Sequence, residues 1–462
     1  MANFLVSAAH KSSGKTTVTV GLCAALSKRG NEVQPFKKGP DYIDPLWLSR
    51  ASGRPCYNLD FNTMQNSEIK SLWHRHAKNG NVAIVEGNKG LFDSIDLEGK
   101  QSNAALARLL GLPVVLVVDV SGITRGVAPL LIGYQQFEQD LNIAGVILNK
   151  IASTRHEGKV IAAVEEYTDI PVLGAVYRNA DILISERHLG LVPSNEIQEA
   201  DNKIQSIADV VGEQVDLDKI INVSGTQTIL SAPDSPVPSS QEDSLRIGIA
   251  RDAAFGFYYQ DDLDAFESAG AELIPINMIN DHVLPDVDAL FIGGGFPETH
   301  MSELASNRSM LEQVRNAVVN GMPVYAECGG LMYLCRQLSW KGETVQMANA
   351  VPADVVMHER PQGRGYVRLR ETGNGLWPML NNSNDGDTSA PIEISAHEFH
   401  HSTLENIDES VEYAYEVLRG AGINGKYDGM IYHNTMANYT HLRDVEANHW
   451  VRRFIEFIKS IR

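Results

Sequence analysis

The sequence has few cysteines, few basic residues and no long apolar segment. Its 462 residues include 4 cysteines, none in CxxC spacing, which excludes a disulfide framework. Lys and Arg number 39 against 58 Asp and Glu, and the net charge of −19 argues against non-specific binding of nucleic acid. The longest apolar runs fall far below the roughly 20 residues that cross a bilayer, and the N-terminus lacks the basic region of a signal peptide. We therefore expect a soluble cytoplasmic protein that binds neither nucleic acid nor a membrane.

The chain alternates strand patterns with helix patterns. Apolar runs at residues 3–8, 82–85, 113–118 and 144–148 predict buried parallel strands, and stretches at 16–29, 103–110 and 158–167 predict helices. A second series predicts strands at 246–250, 272–276, 289–292 and 323–326 and a helix at 260–269. Between the two series, residues 231–244 contain three prolines among small polar residues, which is typical of a linker. The sequence therefore predicts an α/β protein with a doubly wound domain at 1–230, a linker at 231–244 and a second α/β domain at 245–462.

The segment between the first predicted strand and helix has the pattern of a phosphate-binding loop. Its candidate phosphate-binding residues are Ser13, Gly14, Lys15, Thr16 and Thr17. Backbone amides and a helix N-terminus would hold the phosphates, Lys15 would counter their charge, and Thr16 could bind Mg²⁺. Ala9 stands where the first glycine of the strict motif would be. Asn149, after a later strand, is a candidate for reading the adenine of ATP, although asparagine is also common in turns.

Acidic residues follow the predicted strands of the same domain. The four candidates are Asp41, Asp44, Glu86 and Asp93. Each alone is typical of a turn or a helix cap. Because the carboxyl ends of parallel strands meet at one edge of a sheet, four of them beside a phosphate loop favour a site for Mg²⁺ and ATP.

In the second domain, residues 323–332 predict a strand, a sharp turn and a helix with Cys328 at the turn. A helix N-terminus favours a thiolate, and Gly329 allows close approach of a substrate, so the pattern favours a nucleophile over a buried structural cysteine. Gly294 and Gly295, after another strand, could offer amides to an oxyanion or line a glutamine pocket. His441 is a better candidate for the base than His433.

Residues 397–401 match the H-E-x-x-H pattern of zinc proteases. That pattern requires a helix, whereas the preceding residues alternate like a strand, so we interpret His397, Glu398 and His400 as pocket residues instead. At the C-terminus, Trp450, Phe454 and Ile458 recur at helical spacing next to basic residues. We expect this helix to pack on its own domain, and a membrane-surface helix is the alternative.

These stretches resemble the cobyrinic acid a,c-diamide synthases, glutamine-dependent amidotransferases of tetrapyrrole biosynthesis. The matching residues are 34–37, 39–44, 53–55, 58–60, 86–87, 90–93, 146–149, 186–191, 294–298, 326–334 and 397–400. The resemblance implies a dethiobiotin-synthetase-like P-loop domain followed by a class I glutamine amidotransferase domain of flavodoxin-like fold. It also implies ATP and Mg²⁺ as cofactors, and glutamine and a polycarboxylate tetrapyrrole as substrates. A homodimer is compatible with the sequence.

The resemblance implies roles for individual residues. Asp41, Asp44, Glu86 and Asp93 would serve the synthetase site, where ATP phosphorylates a substrate carboxylate. Cys328 would attack glutamine with His441 as base, and the released ammonia would pass internally to the acyl phosphate. Further pocket candidates in the matching stretches are Lys37, Tyr42 and Arg187.

The sequence departs from the family pattern near the histidine. Family members commonly read His-Leu-His there, whereas this chain reads His441-Leu442-Arg443, and no acid stands two residues after His441. Spacing does not choose between Asp444 and Glu446 as the third member of the site. His10 and Lys11 also replace small residues of the phosphate loop.

Several alternatives therefore stay open. The substrate could be cobyrinic acid, sirohaem or (nickel-)sirohydrochlorin. Two alternatives belong to other functional classes. One is a P-loop ATPase switch that its last helix tethers to a membrane, and the other is a protein that binds a tetrapyrrole without amidating it.

Overall fold

The computed structural model describes residues 1–187, 190–197, 199–226, 244–380 and 392–462. The chain divides into two compact units, Met1–Asp234 and Ser235–Arg462. That division falls within the predicted linker at 231–244, of which all but residue 244 lies outside the described residues. The predicted domain limits therefore stay a prediction.

The first unit is built on a sheet of parallel strands. Its strands, in chain order, are β1 Ala2–Ala8, β2 Val33–Lys38, β3 Tyr57–Leu59, β4 Val82–Glu86, β5 Val114–Asp119, β6 Ile143–Ile151, β7 Val172–Tyr177, β8 Glu186–Arg187, β9 Gly190–Leu191 and β10 Gly225–Thr226. The sheet order is β3-β2-β4-β1-β5-β6-β7, with β10 added antiparallel to β1. Strands β8 and β9 form a separate antiparallel pair. The order places β1, which leads into the phosphate loop, in the middle of the sheet.

Helices connect these strands. They are α1 Lys15–Lys28, α2 Ile43–Ser52, α3 Asn66–Ala77, α4 Asn103–Leu110, α5 Val127–Phe137, α6 Thr154–Tyr167, α7 Ala200–Gln214 and α8 Leu217–Val223, with a 3₁₀ turn at Ala180–Ile182. A buried core joins side chains of the strands to α1, α2, α7 and α8. Strand residues such as Phe4 and Ile84 are fully or almost fully buried, which explains why the strands read as continuous apolar runs.

The second unit contains a larger sheet that is half parallel and half antiparallel. Its strands are β11 Arg246–Ala250, β12 Phe255–Phe257, β13 Glu272–Ile276, β14 Ala289–Ile292, β15 Gly294–Gly295, β16 Val324–Glu327, β17 Gln337–Trp340, β18 Glu343–Gln346, β19 Asp354–Met357, β20 Gly363–Glu371, β21 Glu393–His400, β22 Ser402–Glu405, β23 Glu412–Arg419, β24 Tyr427–Tyr432 and β25 Thr435–Asn438. The order β13-β11-β14-β16-β25 is parallel, and β24-β23-β20-β21 continues it antiparallel. Smaller sheets pair β12 with β15 and order β18-β17-β19-β22.

The helices of the second unit are α9 Gln260–Ser268, α10 Met301–Ser306, α11 Arg308–Val319, α12 Gly329–Leu334 and α13 Trp450–Ile461, with a 3₁₀ turn at Pro297–His300. Helix α13 buries Trp450, Phe454 and Ile458 in an aromatic core, as expected for a helix packed on its own domain. Among the described residues, no helix is both long and apolar enough to cross a membrane.

The predicted α/β architecture of both halves is confirmed, and most predicted elements agree with the structure within one or two residues. One difference is the helix predicted at 158–167, which begins at Thr154 in the structure. The side chain of Ser153 caps it by accepting a hydrogen bond from the amide of His156, so a cap rather than the apolar pattern sets the first turn. The antiparallel half of the second sheet was not predicted as part of the same sheet.

Candidate active sites

The phosphate loop lies between β1 and α1, and its conformation depends on Gly14. The backbone of Gly14 has φ +83°, a left-handed conformation that favours glycine. A Cβ at this position would lie 2.2 Å from Nδ2 of Asn149. The Asn149 amide donates a hydrogen bond to the carbonyl of Ser13 at 2.7 Å. Glycine is therefore required both for the turn and for the approach of Asn149.

A second contact holds the same loop from β6. Nζ of Lys150 donates to the carbonyl of Ser12 at 2.9 Å and to Oδ2 of Asp119 at 2.7 Å. Oδ1 of Asn149 accepts from the amide of Lys150 at 2.9 Å, so both ends of the Asn149 amide are engaged with the chain. In this structure Asn149 supports the loop, and its reading of adenine stays a prediction.

Lysines and carboxylates meet at the start of α1. Nζ of Lys15 lies 2.5 Å from Oε1 of Glu86, and Oγ1 of Thr16 donates to the same oxygen at 2.8 Å and to Oδ2 of Asp44 at 3.3 Å. Lys37 forms an ion pair with Asp44 and lies 3.2 Å from Oε1 of Glu86 and 3.5 Å from Oδ2 of Asp41. The structure thus brings three of the four predicted carboxylates into one cluster with Lys15 and Lys37.

Burial and the neighbouring carboxylates have opposite effects on the pKa values of the two lysines. Burial lowers the pKa of Lys15, and the carboxylates of Glu86 and Asp44 only partly offset it. Burial also disfavours the charge of Lys37, but Asp44, Glu86 and Asp41 outweigh it and raise its pKa well above the usual value. Burial and the charge of Asp44 raise the pKa of Asp41 to about 6.

The remaining predicted residues of this unit lie around the cluster. Asp93 is exposed, and its Oδ2 accepts from the amide of Gly90 at 2.8 Å, so it shapes the loop after β4. Tyr42 is buried at the residue before α2, and Ser13 bonds to the carbonyl of His10 at 2.7 Å. Thr17 is half-buried in the first turn of α1. Arg187 belongs to β8, and its side chain lies outside the described part of the chain.

The donor set of this cluster fits Mg²⁺. Glu86 is fully buried, and its Oε2 has no hydrogen-bond partner among the residues that the structure describes. A buried carboxylate oxygen without a partner is costly, and a hard cation would satisfy it. Thr16 and Asp44 supply further oxygen ligands next to it.

In the second unit, Cys328 occupies a sharp turn between β16 and α12. Its backbone has φ 47° and ψ −101°, and the next residue begins the helix. A Cβ on Gly329 would lie 3.0 Å from the amide nitrogen of Gly295, and one on Gly294 would lie 2.6 Å from Cε1 of His441. The predicted glycine turn, cysteine turn and histidine are therefore brought together.

The ring of His441 has a hydrogen-bond partner on each side. Its Nδ1 lies 3.0 Å from Oε2 of Glu327, and its ring also hydrogen-bonds the Cys328 side chain. Burial disfavours the imidazolium, but these two hydrogen bonds and the associated charges outweigh it and raise the pKa of His441 to about 10. The arrangement therefore favours the charged form of His441 next to the Cys328 side chain.

Glu327 is the residue that the sequence interpretation missed. The candidates considered there, Asp444 and Glu446, do not take this position. Oδ1 of Asp444 accepts from the amide of Val451 at 3.1 Å, and Glu446 is exposed. A usable signal was present, because an acid directly before the nucleophile is unusual at the buried end of a strand.

Strand β21 passes beside the cysteine and the histidine. The carbonyl of Phe399 lies 3.8 Å from Sγ of Cys328, and His397 exchanges backbone hydrogen bonds with His441. Burial, and next to it the charge of His441, lowers the pKa of His397 to about 3.

The other two residues of the motif stabilise the strand. Glu398 accepts from the amides of Ala421 and Gly422 at 2.7 and 2.9 Å. The ring of His400 stacks on Tyr439 with centroids 3.8 Å apart. The predicted strand at H-E-x-x-H is confirmed, and a helical zinc motif does not form there.

A strained cysteine turn with a paired histidine, and a separate phosphate loop with a lysine–carboxylate cluster, define a class: glutamine amidotransferases that use a nucleotide. Residues 246–448 match the CobB/CobQ-like glutamine amidotransferase domain, and residues 5–192 match the CobQ/CobB/MinD/ParA nucleotide binding domain.

Three relatives named cobyrinate a,c-diamide synthase align over almost the whole chain. The protein of Magnetococcus marinus is 46% identical over 96% of this chain and 94% of its own length. That of Methanosarcina acetivorans is 39% identical over 99% and 95%, and that of Listeria monocytogenes serovar 1/2a is 37% identical over 96% and 96%. The chain belongs to the cobyrinate a,c-diamide synthase family. It is therefore a glutamine-dependent carbon–nitrogen ligase, and its nucleotide-binding domain implies the use of ATP.

Proposed function

We propose that this protein amidates the a and c acetate carboxylates of cobyrinate, with glutamine as nitrogen donor and ATP as energy source. The proposed substrate rests on one observation: the chain is 46% identical, over nearly its full length, to a relative named cobyrinate a,c-diamide synthase. The presence of both a nucleotide site and a glutaminase-like site in one chain supports the overall reaction.

The first half-reaction takes place at the phosphate loop. A carboxylate oxygen of the substrate attacks the γ-phosphorus of ATP, and the bond between that phosphorus and the β–γ bridging oxygen breaks. The products of this step are ADP and an acyl phosphate of the substrate. Lys15 stabilises the charge of the transferring phosphoryl group, and the loop amides around Ser13 and Gly14 hold the phosphates. Lys37, held by three carboxylates, keeps its charge at this position.

Thr16, Asp44 and Glu86 would hold Mg²⁺ in the same site. Mg²⁺ held by these residues would neutralise phosphate charge. Contacts with Lys15 and Lys37 orient Glu86 and Asp44. Burial disfavours the charge of Asp44, but Lys37 and Lys15 outweigh it and hold its pKa below the usual value.

The second half-reaction takes place at Cys328. Its thiolate attacks the side-chain carboxamide of glutamine, and the carbon–nitrogen bond breaks as His441 gives its proton to the leaving ammonia. Amides near Gly295 and Gly329 would stabilise the oxyanion. Water then hydrolyses the thioester to glutamate, and the ammonia displaces phosphate from the acyl phosphate to form the amide.

The test is mass spectrometry of reaction products. Protein, ATP, Mg²⁺ and glutamine are incubated separately with cobyrinic acid, sirohydrochlorin and sirohaem. Each carboxyl-to-amide conversion lowers the mass by about one unit, because the acyl transfer replaces a hydroxyl by an amine. We expect two such conversions on cobyrinic acid, none without ATP, and none with glutamine in Cys328→Ala. Conversion of another macrocycle instead would overturn the proposed substrate but not the reaction.

A further inference from the structure

The carboxylate of Glu327 lies directly against the histidine of the glutaminase site. We propose that Glu327 is the positioning residue of His441, so that the nucleophile and the acid that orients its histidine are consecutive residues of one strand end. This inference rests on the proposed roles of Cys328 and His441. It assigns the third member of the site, which the spacing after His441 leaves open.

Each oxygen of the Glu327 carboxylate has its own partner. Oε2 lies 3.0 Å from Nδ1 of His441, whereas Oε1 accepts from the hydroxyl of Tyr325 at 2.7 Å and from the amide of Leu442 at 2.9 Å. Only 3% of the Glu327 side chain is exposed. The Leu442 contact ties the carboxylate to the backbone beside the histidine itself, so the relative position of the two groups is fixed.

This geometry determines which nitrogen of His441 meets the thiol. Because Nδ1 donates to Glu327, Nε2 is left for Cys328. A carboxylate at Nδ1 also stabilises the imidazolium that forms when the thiol gives up its proton. His397 also lies beside the ring, and it adds no competing charge because burial lowers its pKa to about 3.

The acids that follow His441 in sequence have other contacts. Asp444 lies 3.8 Å from Nδ1 of His449 and accepts from the amide of Val451. Glu446 is exposed at the surface. These two residues therefore serve as matched controls for Glu327.

The decisive variant is Glu327→Gln, assayed by glutamine hydrolysis. The glutamine oxygen can keep the bonds from Tyr325 and Leu442, but its NH₂ then faces Nδ1 of His441 and forces the ring proton onto Nε2. We expect kcat to fall on the order of 10²- to 10⁴-fold with little change in KM for glutamine. The alkaline limb of kcat/KM should move to lower pH, because an imidazolium that has lost its carboxylate gives up its proton more readily. A purely structural defect would not move that limb.

Three further variants complete the test. Asp444→Asn and Glu446→Gln should keep the wild-type kcat and pH profile, and Glu327→Asp should recover part of the loss with a near-wild-type limb. Cys328→Ala separates the two claims: if it still hydrolyses glutamine, the proposed function fails. If it is inactive while Glu327→Gln behaves like wild type, only the present inference fails.

A measurement on the wild-type protein covers the case in which Glu327→Gln does not fold. The Nδ1 proton of His441, shared with a buried carboxylate, should give a far-downfield proton NMR resonance. The resonance should be absent from His441→Ala and unchanged in Asp444→Asn. A wild-type spectrum without it, or its loss in Asp444→Asn, overturns the proposal.

Discussion

At the scale of single residues, Cys328 holds its thiol on an uncommon backbone conformation, with φ 47° and ψ −101°. Such a conformation costs on the order of 1–3 kcal/mol for a residue with a Cβ, whereas glycine adopts it freely. We expect Cys328→Gly to be more stable than Cys328→Ala, by about 1 kcal/mol once the greater freedom of glycine in the unfolded chain is subtracted. Urea denaturation compares the two variants, both without the thiol. Equal midpoints would contradict a strained turn.

A second residue-scale prediction concerns Asp41. Burial and the neighbouring Asp44 raise its pKa to about 6, so its carboxyl keeps a proton until that pH. Mg²⁺ held at the neighbouring Asp44 would disfavour this proton by charge, so we expect the affinity for Mg²⁺–ATP to rise between pH 5 and 7 and to level off above. Asp41→Asn should flatten the profile in isothermal titration calorimetry. Asp96→Asn, at a carboxyl whose pKa is lowered, should keep the wild-type slope.

The residues of the site were predictable where their chemistry is local. Cys328 follows from a strand, a turn and two glycines that are adjacent in sequence. Glu327 was missed because its partner, His441, lies 114 residues away and is brought to it by the pairing of β16 with β25. That contact follows only from the order of the strands in the sheet, and the order cannot be derived from local sequence patterns.

At the scale of elements, the phosphate loop depends on close packing as well as on backbone freedom. Gly14 and Gly30 share nearly the same φ, +83° and +86°, but a Cβ meets Asn149 at Gly14 and nothing within 4 Å at Gly30. Gly14→Ala should weaken ATP binding by about tenfold or more because it displaces the loop amides. Gly30→Ala should cost about 1 kcal/mol of stability with ATP affinity unchanged. Calorimetric titration with ATP distinguishes them, and equal affinities would refute the packing argument.

Helix α13 tests the choice between a packed and a membrane-bound terminal helix. Trp450 is fully buried, with its ring centroid 4.7 Å from that of Tyr325 and 5.1 Å from that of Phe291. Trp450→Ala should destabilise the protein by about 3–5 kcal/mol through the cavity it leaves. Ile461→Ala, at a residue 44% exposed, should change stability by less than about 0.5 kcal/mol. Chemical denaturation measures both, and binding of the wild-type protein to anionic liposomes would favour the membrane alternative.

The parallel strands were easier to predict than the antiparallel ones for a physical reason. Strands such as β4 are buried on both faces and read as unbroken apolar runs. Strand β20 mixes buried, partly buried and exposed residues and carries several charged side chains, so the sequence shows no unbroken apolar run there. Its membership in the central sheet is set by pairing with β21 and β23.

At the scale of the whole molecule, each unit contains a core of its own. Among the residues that the structure describes, the first unit has a cluster of buried side chains that joins its strands to α1, α2, α7 and α8. The second unit has buried clusters around α12 and around α13. The fragment 245–462 contains Cys328, Glu327 and His441 with the contacts that join them, so we expect it to unfold cooperatively and to hydrolyse glutamine without ATP. The fragment 1–230 should bind ATP but not hydrolyse glutamine.

Calorimetry and a glutaminase assay on the separate fragments test this, with Cys328→Ala in 245–462 as the inactive control. A fragment that fails to fold would show that the predicted linker at 231–244 is not the limit of the domains.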